Sequence, residues 1–120
     1  GVEGADELVK KAQQNAIFNN ISNATFFTRD LSQADLQENI NMEGYDKVLL
    51  DPPRSGAQAV IEQLNMENVK KLVYVSCNPA TLARDAGILV KEKGFKLQSA
   101  GVMDMFPHTT HVESIAIFER

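Results

Sequence analysis

Leu8, Val9, Ala12, Ala16 and Ile17 recur at helical spacing, which predicts a helix over roughly residues 5–19, ended by Asn19-Asn20 and Ser22-Asn23. Ala24-Thr25-Phe26-Phe27-Thr28 is β-branched and aromatic and reads as a short strand. Residues 30–43 are polar with scattered apolar positions, which suits a weak helix followed by a loop. Lys47-Val48-Leu49-Leu50 is apolar and runs into Asp51-Pro52-Pro53, where proline stops the ladder. Ala57 to Leu64 reads as a helix, Lys71 to Ser76 as a second apolar strand, and Pro79 to Lys91 as a strong helix with Gly94 placed for a left-handed cap. Phe95 to Asp104 and Val112 to Phe118 read as two late strands. Unbroken apolar runs fit strands buried on both faces, hence a parallel sheet covered by helices. The expected fold is α/β, with the last two strands antiparallel.

With 120 residues, 43% of them apolar and 23% charged, the chain suits one globular domain or a piece of one. Twelve basic against sixteen acidic residues give a net charge of −4, which argues against gripping nucleic acid by overall charge alone. No apolar run nears the roughly 18–20 residues of a membrane span, and the opening Gly1-Val2-Glu3-Gly4-Ala5-Asp6-Glu7 has no signal-peptide character. A single Cys forbids an internal disulfide and suits a reducing compartment, so a cytoplasmic location is expected. One Cys with two His is a poor basis for a metal site or cluster, and no metal is expected. The chain does not open on Met, and it reads as part of a longer protein.

Ligands of open α/β sheets bind beyond the carboxyl ends of the strands. Three such places carry chemistry. The first is Asp51-Pro52-Pro53-Arg54, a carboxylate on a stiff turn that could accept hydrogen bonds from a ligand or simply end a strand. The second is Ser76-Cys77-Asn78-Pro79, where Asn78 is a good N-cap and Pro79 suits the first helical turn. A thiol at that corner feels the positive end of the helix, which favours the thiolate. A packed structural Cys is the plain alternative. The third is the loop from Asp104 to Glu113, which holds both histidines, His108 and His111. Glu113 precedes the apolar stretch Ile115-Ala116-Ile117-Phe118, where partial desolvation would suit a carboxylate to proton abstraction.

Ser76-Cys77-Asn78-Pro79-Ala80-Thr81-Leu82-Ala83-Arg84-Asp85 closely resembles the nucleophile motif of the RNA uracil-C5 methyltransferases. Asp104-Met105-Phe106-Pro107-His108-Thr109-Thr110-His111-Val112-Glu113 resembles the family's second catalytic motif, and Gly1-Val2-Glu3 and Asp51-Pro52-Pro53-Arg54 match as well. The resemblance covers essentially the whole chain and is nearest to the branch that acts on 23S ribosomal RNA, with the transfer-RNA branch as the alternative. It implies a Rossmann-like, S-adenosylmethionine-dependent fold and methyl transfer to C5 of a uridine in RNA. The nucleophile falls on Cys77 and the base on Glu113. For the cofactor, the ribose acceptor falls on Glu3, Asp30 would face the adenine amino group, and Asp51 would line the cofactor and target-base site. The target uridine has to leave its stack, so a loop uridine is favoured over a paired one.

The family's first strand and glycine-rich cofactor loop are not found here and are expected just upstream of Gly1. So are its oligonucleotide-binding domain and the cysteines of any iron–sulfur cluster. Residues 1–120 are therefore expected to be the C-terminal part of the catalytic domain. By themselves they should bind cofactor poorly, not methylate, and tend to self-associate through unpaired strand edges. Three rivals stand beside this reading. One is a thiol hydrolase pairing Cys77 with His108 or His111, another an amino-methyltransferase using Asp51-Pro52-Pro53, and the last a non-catalytic α/β interaction module.

Overall fold

The computed structural model describes residues 1–32 and 40–120. Contacts divide the chain into two compact units, Gly1–Gln33 and Ala34–Arg120. The weak helix expected within residues 30–43 falls mainly on residues 33–39, outside the described residues.

The first unit holds β1 (Val2–Glu3), α1 (Asp6–Phe18) and β2 (Phe27–Thr28). Periodicity cannot reveal a two-residue strand, so β1 is absent from the predicted elements. It pairs in parallel with β2, Val2 opposite Phe27 and Glu3 opposite Thr28. β2 is shorter than the expected Ala24–Thr28 because the ladder cannot outrun a two-residue partner. α1 opens on Asp6 and Glu7, whose negative charge suits the positive helix end. It closes where Asn20 takes φ 56°, with Asn20 N–H donating to the Ile17 carbonyl and Ile21 N–H to the Ala16 carbonyl. That pair of bonds on a left-handed residue satisfies carbonyls the helix leaves open.

The second unit holds β3 (Lys47–Leu50), α2 (Gln58–Gln63), β4 (Lys71–Ser76), α3 (Pro79–Lys91), β5 (Lys96–Met103) and β6 (Glu113–Glu119). The four strands form one sheet in the order β3-β4-β6-β5. β3 and β4 run parallel, while β6 runs antiparallel to both β4 and β5, the β5–β6 pair being the antiparallel one expected. Gly94 adopts φ +75° just beyond α3, the left-handed position expected of it.

Burial corrects one expectation. β4 and β6 carry the central apolar runs Leu72–Val75 and Ile115–Phe118, yet burial along them alternates. Leu72, Tyr74, Ser76, Ser114, Ala116 and Phe118 are buried, while Val73, Val75, Ile115 and Ile117 are only half buried. Register puts Leu72 opposite Phe118, Tyr74 opposite Ala116 and Ser76 opposite Ser114, so the buried residues share one face. α3 packs against β4 and β6, and α2 packs against α3. Val60, Ile61, Leu82 and Leu89 are among the other buried side chains of this unit, each stabilising by about 1.5–3 kcal/mol. An apolar run shows that a strand can be buried on both faces, not that both faces are covered. On β3, Leu49 remains 69% exposed.

Candidate active site

Among the described residues, α3 begins at a corner that the sequence builds locally. β4 ends at Ser76, Cys77 follows, and Asn78 caps α3 by accepting from the Ala80 N–H at 3.1 Å. Pro79 takes the first helical position, where a missing N–H is harmless. The buried Ser76 hydroxyl accepts from the Asn78 N–H and donates to the Asn78 carbonyl, both at 3.0 Å. These bonds hold the backbone on each side of Cys77, while the thiol stays free and half exposed.

The loop after β3 is fastened to the same corner. Asn78 Nδ2 and Thr81 Oγ1 both donate to the Arg54 carbonyl, at 3.1 and 3.3 Å. Arg84 Nη2 donates to the Ser55 carbonyl at 2.9 Å, and Ala57 N–H donates to Asp85 Oδ2 at 2.7 Å. Tyr74 O–H donates to that same carboxylate oxygen at 2.5 Å, and Arg84 Nε donates to Asp85 Oδ1 at 2.8 Å.

Burial, followed by the hydrogen bond to Asp85, pushes the Tyr74 phenol well above the ordinary tyrosine value. A folded-state value raised in this way contributes stability that is complete below the unfolded value of about 10 and is lost as pH climbs through the folded value. In the Tyr45→Phe chain, Tyr74 is the one remaining tyrosine. Its 295 nm absorbance should stay flat through the pH range where a free phenol ionises and rise only as near-ultraviolet circular dichroism collapses. A midpoint near 10 with the fold intact would contradict the buried phenol.

Asp51, Cys77 and Glu113 come to one end of the four-stranded sheet. Asp51 follows β3 directly, Cys77 follows β4 directly, and β6 opens at Glu113. β4 and β6 pair without a slip from Lys71 with Glu119 to Ser76 with Ser114. Cys77 and Glu113 each adjoin the last pair of that ladder, Ser76 with Ser114, so the register brings both to the same strand end. Glu113 is half buried and Asp51 exposed. Glu3 and Asp30 belong to the first unit. Glu3 ends β1, is exposed, and accepts from the Ala5 N–H at 3.0 Å. Asp30 lies two residues past β2, exposed, and accepts from the Ser32 N–H at 2.9 Å and the Ser32 hydroxyl at 2.6 Å.

Neither imidazole hydrogen-bonds to Cys77 among the described residues. His108 and His111 are both exposed, in a loop shaped by bonds from Thr109 to the Phe106 carbonyl and from His111 N–H to Thr109 Oγ1. Among the described residues no group of His, Cys, Asp and Glu could hold a metal, and no helix is long and apolar enough to cross a membrane. Sequence reasoning missed Tyr74, Thr81, Arg84 and Asp85 as parts of the site. A signal was there: Asp85 sits in register with Leu82 and Leu89 on the apolar stripe of α3, where a carboxylate needs partners.

The fold is that of the Rossmann-like methyltransferases. Its neighbours include the Pyrococcus abyssi tRNA (uracil-54, C5)-methyltransferase solved with S-adenosyl-L-homocysteine, which is 34% identical with a TM-score of 0.80 and matches 98% of this chain and 27% of its own. M. jannaschii TYW2 in complex with AdoMet shares the fold at 16% identity and a TM-score of 0.63, over 99% of this chain and 56% of its own. Residues 3–120 match the tRNA (uracil-5-)-methyltransferase family, and the chain belongs to that family. Among curated relatives, the 23S rRNA (uracil(1939)-C(5))-methyltransferase RlmD of Stenotrophomonas maltophilia (strain K279a) is 58% identical over all 120 residues. The chain spans 27% of that relative's length.

Proposed function

We propose that residues 1–120 are the C-terminal part of a catalytic domain that transfers a methyl group from S-adenosylmethionine to C5 of a uridine in 23S ribosomal RNA. The observation that carries the proposal is the β4–β6 register, in which Cys77 and Glu113 both adjoin the Ser76–Ser114 pair at the sheet end where Asp51 also lies. The relatives named for this reaction support it, and the ribosomal substrate follows the 58% identity rather than the 34% of the transfer-RNA enzyme. A cytoplasmic location follows from the same substrate.

S-adenosylmethionine, when bound, supplies a methyl group on a sulfonium. The donors present suit it. Glu3, Asp30 and Asp51 are exposed carboxylates at or just past strand ends. Glu3 would accept from the ribose hydroxyls, Asp30 from the adenine amino group, and Asp51 would line the cofactor and the target base.

Cys77 Sγ adds to C6 of the uracil, and the electron pair of the C5–C6 double bond moves toward C5 and O4. C5 thereby becomes nucleophilic and would take the methyl group from the sulfonium, whose S–CH3 bond pair would stay on the departing thioether sulfur. Glu113 then removes the C5 proton, the double bond re-forms, and the C6–S bond breaks to return the thiolate. The covalent step turns an unreactive vinylic carbon into a nucleophile. It also explains why sulfur and carboxylate must meet on one ring from neighbouring strands.

The full-length protein, given 23S ribosomal RNA and methyl-labelled S-adenosylmethionine, should place label in 5-methyluridine. Residues 1–120 alone should transfer none and should tend to self-associate through free strand edges. Label on a purine nitrogen, or equal activity from residues 1–120 alone, would refute the proposal.

A further inference from the structure

Asp85 is wholly buried on α3. A buried carboxylate is weak evidence for stability, since apolar replacements of similar volume often serve at least as well. What distinguishes Asp85 is what it holds. Oδ2 accepts from the Ala57 N–H and from Tyr74, and Oδ1 accepts from Arg84, whose Nη2 reaches the Ser55 carbonyl. Thr81 and Asn78, earlier on the same helix, hold the Arg54 carbonyl.

Gly56 shows how closely the loop is pressed down. It adopts φ +85°, and a Cβ there would lie 2.5 Å from Arg84 Nη2, 2.6 Å from Asp85 Oδ2 and 3.1 Å from Thr81 Cβ. Only glycine meets both demands. The loop from Asp51 to Ala57 is thus tied to α3 at the carbonyls of residues 54 and 55 and the N–H of residue 57. The Asp51 carboxylate makes no hydrogen bond among the described residues, so its backbone alone sets its place.

We infer that Asp85 is a positioning residue: through the Ser55–Ala57 backbone it fixes where Asp51 stands relative to Cys77. The inference rests on the methyltransferase reading above and adds to it a residue outside the reacting groups. It acts on cofactor and base placement, not on the thiol.

The test is a double-mutant cycle in the full-length protein, scored as methyl transfer to 23S ribosomal RNA. Asp51→Ala and Asp85→Asn should each lower kcat/KM by about 100-fold, the scale of a reacting group misplaced by about 1 Å. Combined, they should cost no more than Asp51→Ala alone, because Asp85 works through Asp51. Alkylation of Cys77 by iodoacetamide should stay within about twofold of wild type in Asp85→Asn, since the Ser76 and Asn78 bonds that hold the backbone around Cys77 do not involve Asp85. Should Asp85→Asn fail to fold, Arg84→Lys, which loses the Ser55 contact at an exposed position, takes its place in the cycle.

Multiplying effects in the double variant would overturn the inference while leaving the methyltransferase reading intact. Single variants at Asp85 and Arg84 with wild-type kinetics would do the same. A wild-type protein that transfers no methyl group would instead defeat the underlying reading.

Discussion

Cys77→Ala in the full-length protein is expected to lower methyl transfer by roughly four orders of magnitude or more, the scale of losing a covalent nucleophile. The same change should leave stability nearly untouched, because the thiol is half exposed and is not part of the buried core. RNA carrying 5-fluorouridine at the target makes the test direct. Fluorine at C5 cannot leave as a proton, so the wild-type protein should stay covalently joined to the RNA through denaturing electrophoresis. Cys77→Ala should form no such complex. A persistent complex in Cys77→Ala, or retained turnover, would assign the nucleophile elsewhere. The result would also decide between this reading and an amino-methyltransferase, which needs no cysteine.

Glu113→Gln is expected to fail later in the reaction. The glutamine keeps the shape of the side chain but cannot take a proton, so addition and methylation proceed while elimination does not. With ordinary uridine RNA this variant should transfer about one methyl group per protein molecule and then stop. A covalent RNA complex that wild type does not accumulate should build up. Multiple turnover should fall by about 10²–10⁴-fold, the usual contribution of a positioned base. Normal turnover would remove Glu113 from its role. Loss of the first methyl transfer as well would show that the carboxylate acts before proton removal.

These contrasting outcomes rest on two residues 36 positions apart, and neither is informative in isolation. Cys77 could be read as a packed thiol, and Glu113 as the polar edge of a strand. The two long motifs around them named a chemistry by resemblance. Only the pairing of β4 with β6 brings them to one sheet end, since each adjoins the Ser76–Ser114 pair. The loop Asp51–Gly56 was legible as a proline-stiffened turn. Its attachment to α3 was not, because the Arg54 and Ser55 carbonyls are bound by side chains at least 24 residues away.

The elements themselves were largely local. Pro79 to Lys91 is the helix that apolar period and capping chemistry predicted, and Lys71 to Ser76 is the predicted strand. β1 escaped because two residues have no period, and β2 shrank to the length of its partner. The burial of β4 and β6 on a single face in this unit depended on where the helices packed, which an apolar run does not encode.

The sequence by itself determined the α/β order, the cap at Asn78, the left-handed stop at Gly94 and the identities of the reactive side chains. Each depends on backbone torsions or side-chain chemistry within a few residues. The tertiary structure alone decided the sheet order β3-β4-β6-β5, the meeting of Cys77 and Glu113 at one sheet end, and the burial of Asp85 beneath the Asp51 loop. Each of these depends on which distant segments meet, and that is settled by burying apolar area and satisfying buried polar groups across the whole unit.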